Sequence, residues 1–419
     1  MGHQNLGKIA VITRALYGLK SIGAAWRSMF AASLQELGFT SCIADPDVWL
    51  RPATKSDGLL YYEYVFVYVD DLLVLSIYPH VIMKTISQQY HLKEGSLERP
   101  KIYLGAEIKQ FRHPDNPQHS MWSMSADQYV KDALVNLEFN LDRMGKRLPT
   151  KVTTPLTSGY RPEVDASPYL DYDFTTLYQQ LIGSLLWSVE LGRIDIHLPV
   201  ALMAQQMAAP RVGYLDQVFH MFWYLKAHGR SKLVLDPAYP LIDDSYFAWT
   251  DWSEFYPNAI EPIPPNAPEP RGKLIMISCF ADADHAGNLV TRCSHSGIII
   301  FCNKAPIIWY SKRQNTVETS TFESEFVVAR IAVELIESLR YKLRMFGVPL
   351  TGPANMFCDN NGVVANKKHN AIAYHKVREA VAQGTIRIAK EDTKTNLADI
   401  LTKPLPGPRM KELLYHILY

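Results

Sequence analysis

Residues 64–75 read Tyr-Val-Phe-Val-Tyr-Val-Asp-Asp-Leu-Leu-Val-Leu, two apolar runs that meet at the adjacent carboxylates Asp70 and Asp71. Each run is rich in β-branched, aromatic and aliphatic residues and too short for a buried helix, so the pattern predicts strand, tight turn, strand. Antiparallel sheet is thereby set near the start of the chain, with two negative charges at a hairpin tip. Side chains alternate along a strand, so neighbouring carboxylates diverge unless the turn re-aims them; re-aimed, at least one can hold a divalent cation. An Asp-Asp pair also simply makes a good turn, and these two residues alone do not choose between the readings.

The flanking text adds a strand with no partner before it and a helix to pack under the sheet. Residues 8–12 read as one strand, and over 22–37 the bulky Trp26, Phe30, Leu34 and Leu37 fall on one helical stripe, with Gly38 as the C-terminal cap. A short helix is expected at 80–90, a strand at 102–108, a turn at 113–117, and then a helix with Tyr129, Ala133, Leu134 and Leu137 on its apolar side. Residues 148–172 are full of Pro, Thr and Asp without periodicity and predict a linker. Three amphipathic segments follow, 178–191, 198–207 and 215–228, whose apolar faces are most simply core. Between 240 and 272, Pro257, Pro262, Pro264, Pro265, Pro268 and Pro270 exclude regular structure and predict an extended spacer at a domain boundary.

Beyond the spacer the pattern gives strands at 274–280, 296–302 and 306–310, a long helix at 321–346, and a strand at 355–358. Helical segments on either side of Lys367-Lys368-His369, a strand at 385–389 and a helix at 397–401 complete it. Three sequential strands followed by alternating helix and strand imply a mixed sheet covered by helices. The whole chain is therefore α+β, with a mixed α/β C-terminal part. Asp282, Glu325, Asp359 and Asp399 occupy element ends or helix faces from which they could converge. Clustered carboxylates repel, so the grouping makes physical sense only with cations between them. Asp284 and Glu323 lie two residues from these choices and remain alternatives, as does a plain surface role for any one carboxylate, with Asp359 a possible helix N-cap.

Composition narrows the class. The 419 residues have room for two or three domains. Forty-three Lys and Arg against 42 Asp and Glu leave a net charge of +1, so any nucleic-acid binding must come from local patches. Five widely spaced cysteines without a Cys-x-x-Cys pair argue against a zinc module or a disulfide framework and for a reducing compartment. No apolar run is long enough to span a bilayer, and the N-terminus carries no signal pattern. An intracellular protein, cytoplasmic or nuclear, is expected.

Tyr68-Val69-Asp70-Asp71 between apolar strands resembles the catalytic hairpin of reverse transcriptases. Residues 14–20 (Arg-Ala-Leu-Tyr-Gly-Leu-Lys), Ala24-Ala25-Trp26, Leu37-Gly38-Phe39 and Ala44-Asp45-Pro46-Asp47-Val48-Trp49 are similar, in order and spacing, to the palm of copia-type retrotransposon polyproteins. Residues 280–284 with Ala286-Gly287, residues 309–314, 321–326 and 358–360, and residues 396–403 resemble that family's ribonuclease H. The resemblance implies a partial reverse-transcriptase palm and thumb over 1–147, a linker and helical connection over 148–239, the spacer over 240–272, a ribonuclease H-like domain over 273–403 and a tail helix over 404–419. It further implies two Mg²⁺ ions, with Mn²⁺ as a substitute, on Asp282, Glu325, Asp359 and Asp399, and vestigial metal ligands at Asp70 and Asp71. The implied partners are an RNA:DNA hybrid and template-primer nucleic acid, with Lys312, Arg313, Lys367 and Lys368 as phosphate contacts. Two departures qualify the expectation. No acidic residue precedes Arg14 where the family places a further palm Asp, so polymerisation is expected to be absent or weak. Asn366 also runs straight into Lys367, where relatives carry several more residues. A catalytically inert relic that folds and binds nucleic acid is the alternative.

Overall fold

The computed structural model describes residues 22–69, 71–92, 95, 97–113, 116–143, 152–247, 251–252, 254–360, 363 and 372–419. The chain forms two compact units, one of Met1–Arg99 with Pro268–Gly272 and Met345–Gly347, the other of Pro100–Ala267, Lys273–Arg344 and Val348–Tyr419. The expected strand at 8–12 and the motif residues 14–20 lie outside the described residues.

In the first unit, α1 (Ile22–Glu36) precedes β1 (Thr40–Ser41), β2 (Val48–Thr54), β3 (Leu60–Tyr68) and β4 (Asp71–Leu75), which pair antiparallel in that order, and α2 (Pro79–Gln89) follows. Trp26, Phe30 and Leu34 recur every four residues, so one face of α1 is apolar. It packs with Trp49, Val65, Ile82 and Ile86 in a buried cluster. α1 stops where expected: Gly38 takes φ +81°, its N–H donates to Gln35 O and that of Phe39 to Leu34 O, the paired bonds of a Schellman cap. Tyr68 lies opposite Asp71 in the ladder, and Val69, directly after β3, turns through φ +56°.

The second unit begins with an antiparallel sheet of β5 (Ile102–Tyr103), β6 (Ala106–His113), β7 (Asn116–Ser125) and β8 (Leu233–Leu235). The single strand expected at 102–108 is broken in two because Leu104 and Gly105 both turn through positive φ. Helices α3 (Asp127–Arg143), α4 (Tyr172–Glu190), α5 (His197–Ala204) and α6 (Val212–Ala227) bury their apolar faces together, with Val130 and Leu137, Tyr178 and Ile182, Val200, and Val218 and Phe222 in one core. The described part of the 148–172 stretch has no long element, yet Leu156 is buried in the same core and Tyr160 donates to Asp165 at 2.5 Å.

A five-stranded mixed sheet carries the C-terminal carboxylates. It is built from β9 (Ile277–Asp284), β10 (His295–Cys302), β11 (Ala305–Arg313), β12 (Ala354–Cys358) and β13 (Ile386–Lys390), in the order β11-β10-β9-β12-β13. β9, β10 and β11 are antiparallel neighbours, whereas β12 runs parallel to both β9 and β13. The parallel connections pass through α7 (Thr321–Met345) and α8 (Ile372–Ala382). Phe326, Ala329, Ala332 and Val333 of α7 pack on Cys279, Ala281, Ala283, Ile298 and Ile300 of the sheet. A 3-10 turn, Leu397–Leu401, and α9 (Gly407–Leu414) close the chain. Mixed α and β structure, with a mixed sheet covered by helices, is the architecture the sequence pattern implies. One local expectation is corrected: Asp282 does not follow the first strand but sits within it, because pairing of Asp284 with His295 continues the ladder past it.

Candidate functional site

β9 and β12 are adjacent and parallel, with Ala281 beside Cys358. Asp282 is the next residue of β9 and Asp359 directly follows β12, so two carboxylates arise side by side toward the carboxyl ends of parallel strands, the usual place for a site in such sheets. Glu325 comes from the first turns of α7 and accepts the backbone N–H of Ala283. One oxygen from each of Asp282, Glu325 and Asp359 lies within 4.8 Å of the others, the candidate metal cluster among the described residues. Asp282 and Glu325 are buried.

Asp399 arrives on the 3-10 turn, which is tied to the sheet at several points. The Asn396 side chain caps Ala398 N–H and donates to Ala281 O at 3.1 Å; Ser311 of β11 donates to Leu401 O at 2.7 Å; the Thr402 hydroxyl donates to Asp282 Oδ2. Lys403, one helical turn beyond Asp399, places Nζ 2.9 Å from Asp399 Oδ1 and 3.1 Å from Asp282 Oδ2. All four expected carboxylates are therefore brought together: three offer oxygens to one point, and Asp399 meets Asp282 both directly and through the shared lysine.

Burial and mutual repulsion set the electrostatics. Glu325 is held well above the usual carboxylate range by burial and then by Asp282 and Asp359. Burial and Asp282 raise Asp359, and the same two causes push Asp399 up to about 6 against the pull of Lys403. Burial alone would make Lys403 a weaker base, but Asp282 and Asp399 outweigh it and hold the ammonium charged. Crowded anions of this kind make a favourable environment for a cation. An all-oxygen donor set suits a hard divalent ion such as Mg²⁺ or Mn²⁺ rather than a thiolate-seeking metal. The residues present thus fit the implied ions.

Of the neighbouring alternatives, Glu323 has other partners and Asp284 does not leave the site. Glu323 accepts Thr319 N–H at 2.9 Å and the Thr319 hydroxyl, and so caps α7. Asp284 lies against Gly287, in space a side chain there would need, and borders the site: burial raises its carboxyl, with Lys403 pulling it down and Asp282 pushing it up. Lys312 and Arg313 end β11, exposed, in register with Ser296 and His295 and through them with Ala283 and Asp284, at the same end of the sheet as Asp282. Two strand spacings put them roughly 10 Å to the side. Lys367, Lys368 and His369 lie outside the described residues, and so does Asp70; Asp71 opens β4 with its side chain exposed. His375 is exposed on α8, 3.4 Å from the Tyr256 hydroxyl.

No family model matches the chain. Curated relatives do. The Pol polyprotein of transposon RE1 from Arabidopsis thaliana is 27% identical over 95% of this chain, and that of transposon RE2 from the same plant is 26% identical over 94%; the chain covers 24% of each. The chain is related to retrotransposon Pol polyproteins. It spans about a quarter of these relatives' length, whereas it covers 85% of a Saccharomyces cerevisiae protein described as a putative transposon Ty5-1 protein, at 24% identity over 75% of this chain. Among solved structures, an N-terminal ribonuclease H domain from Mycobacterium tuberculosis, solved as a fusion with maltose-binding protein, aligns with 34% of this chain and 97% of that one. Its 12% identity and TM-score of 0.24 are too low for any conclusion.

Sequence reasoning missed the groups that hold the site together. Lys403 was legible only as an i,i+4 partner of Asp399, and Gly297 only as a glycine inside a strand pattern. Thr402, Ser311 and His295 carried no signal of their own.

Proposed function

We propose that this chain carries the ribonuclease H segment of a retrotransposon Pol polyprotein beside part of a reverse-transcriptase palm and thumb, and that it hydrolyses the RNA strand of RNA:DNA hybrids with divalent metal. One observation supports this above the rest: carboxylates from a strand, a helix and a second strand, far apart in the chain, lie within 4.8 Å of one another. Asp282, Glu325 and Asp359 hold Mg²⁺ or Mn²⁺, and Asp399 completes the set. Bound ions at such ligands stabilise both the attacking and the leaving oxygen at a scissile phosphate. Burial of Asp282 and Glu325 fixes their orientation and keeps competing water from their oxygens. Lys312 and Arg313 neutralise hybrid phosphates, and the duplex is recognised through backbone and 2′-hydroxyl shape, not base sequence. In the first unit, the β3–β4 hairpin bearing Asp71 is the counterpart of the palm hairpin, which faces template-primer.

Incubation with labelled hybrid and Mg²⁺ tests the reading. Cleavage should be metal-dependent and should fall at least about a hundredfold in Asp359→Asn, since even residues behind a metal ligand are worth ten- to a hundredfold. Cleavage unaffected by that change removes the assignment. The Lys403 bridge, which offsets part of the negative charge with no metal bound, favours a second reading in which the groove binds nucleic acid without turnover. Salt-sensitive hybrid binding with no metal-dependent cleavage would select it.

A further inference from the structure

The four carboxylates do not share their space evenly. Asp282, Glu325 and Asp359 offer oxygens to one point, and Asp399 stands outside that set. The ammonium of Lys403 is shared by Asp399 and the triad's Asp282, 2.9 Å from Asp399 Oδ1 and 3.1 Å from Asp282 Oδ2, beside the direct contact of the two carboxyl groups. A second ion bridging Asp282 and Asp399 would need the volume this ammonium fills. The same Asp282 oxygen already accepts the Thr402 hydroxyl, so it is held in place whether a lysine or a metal faces it. A lysine ammonium is a compact point charge with three donors on a flexible stem. It can bridge two carboxylates and offset one of their two charges, where a divalent ion would offset both, and the Lys403 side chain is 34% exposed, so it has a path to solvent without any backbone opening.

We propose that Lys403 is the resident counter-ion of the second cation position, so that the Asp282–Glu325–Asp359 triad takes the first divalent ion freely and a second ion binds only by displacing Lys403. This rests on the metal-dependent reading above and adds to it a gate on metal occupancy: the two-ion state forms only where divalent concentration is high enough to compete with a tethered ammonium.

Titration calorimetry of the full chain with Mn²⁺ alone, without nucleic acid, tests this. The wild-type chain should show one tighter and one weaker event. In Lys403→Met, which keeps the stem and removes the charge, the weaker event should tighten by at least about tenfold, because each charge-assisted hydrogen bond lost by the competitor is worth more than one decade. The tighter event should move little, and Lys403→Arg, which keeps the charge, should retain the weak second event. Metal binding in Lys403→Met that is indistinguishable from wild type overturns the proposal and leaves the ribonuclease reading standing. Absence of any Mn²⁺ binding in wild type and in both variants removes both. A Lys403→Met chain that is unfolded by circular dichroism without metal but folds on adding Mn²⁺ supports the proposal, whereas one that stays unfolded at saturating Mn²⁺ overturns it, since the ammonium would then be scaffold that no ion replaces.

Discussion

Gly297 stands opposite Asp282 across the β9–β10 ladder, and the volume a side chain would take there is filled by the turn that carries Asp399. A Cβ on Gly297 would meet Thr402 Cγ2 at 2.6 Å, Ala398 O at 2.8 Å and Leu401 Cβ at 2.9 Å. Directly opposite residues point to the same face, so the absent side chain lets the 3-10 turn lie flat beside Asp282. Gly297→Ala should therefore push back a backbone carbonyl as well as side chains, at an overpacking cost of about 1–3 kcal/mol. Urea denaturation should show that loss, and weaker metal binding should accompany it as Asp399 and Lys403 withdraw. A variant as stable as wild type, with unchanged metal binding, would show that the turn is not held by this contact.

The hydrogen bond chain that anchors the same turn makes stability depend on pH. Ser311 donates to Leu401 O, so its oxygen accepts from His295 Nε2 at 2.9 Å, which leaves the neutral imidazole protonated on Nε2. Burial pushes His295 from its ordinary 6.5 down to about 3, and His197 down to about 4. Both folded values lie below the unfolded one, so the unfolded chain binds more protons in between. Their contribution is complete above about pH 6.5 and is lost as pH falls toward the folded values, by about 1.4 kcal/mol per pH unit for each histidine. Asp399, raised to about 6, has the opposite sign and loses stability as pH rises from about 4 to 6. Urea titrations at pH 7, 6 and 5 should separate the two, because His295→Gln flattens only the histidine slope. Parallel slopes for wild type and variant would contradict the buried neutral imidazole.

How much of this was legible beforehand follows from what periodicity records. The stripe of Trp26, Phe30 and Leu34, the hairpin around Val69, and the strand and helix order after Ile277 are local patterns, and they were readable. The carboxylates stood out through the family motifs around them, while the local pattern misjudged the end of the strand that carries Asp282. What joins those elements was not readable: the Gly297–Thr402 fit spans 105 positions of sequence and the Ser311–Leu401 bond spans 90, and neither leaves a trace in either neighbourhood. Leu104 and Gly105 mark the other limit, since an apolar run reads the same with or without a kink in it.

A buried ion pair outside the site offers a sharper energetic test. Arg193 and Asp195 are 2% and 1% exposed at their side chains and meet through two parallel bonds, Nε to Oδ1 at 2.9 Å and Nη2 to Oδ2 at 2.6 Å. Nη1 of Arg193 is buried with no hydrogen-bond partner, so the guanidinium leans on Asp195. Asp195→Ala should cost about 3–5 kcal/mol by leaving a buried charge uncompensated, while the double change Arg193→Met with Asp195→Leu should cost far less. Chemical denaturation of the single and double variants reads the coupling directly. Additive losses would mean the two charges do not depend on each other.

The Pro-rich stretch at 254–272 forms turns and neither helix nor strand, as its composition implies, yet it is pinned at Glu261. Arg340 donates to both Glu261 oxygens at 2.6 Å and Arg344 to the same two at 2.7 and 2.6 Å, two guanidinium forks from one face of α7 on a single carboxylate. Burial works against that charge, and Arg340 and Arg344 outweigh it, holding Glu261 below the usual carboxylate range. Proline removes backbone donors, so the stretch depends on side chains such as this one to stay docked. In Glu261→Ala, loss of about 1.5–3 kcal/mol of charge-assisted bonding should open the segment about ten- to a hundredfold more often, and limited proteolysis within 254–267 should accelerate to match. High salt should reproduce only part of the effect, because the Arg340 side chain is 3% exposed and weakly screened. Unchanged cleavage rates in Glu261→Ala would mean that the stretch is held by its packing, with the forks contributing little.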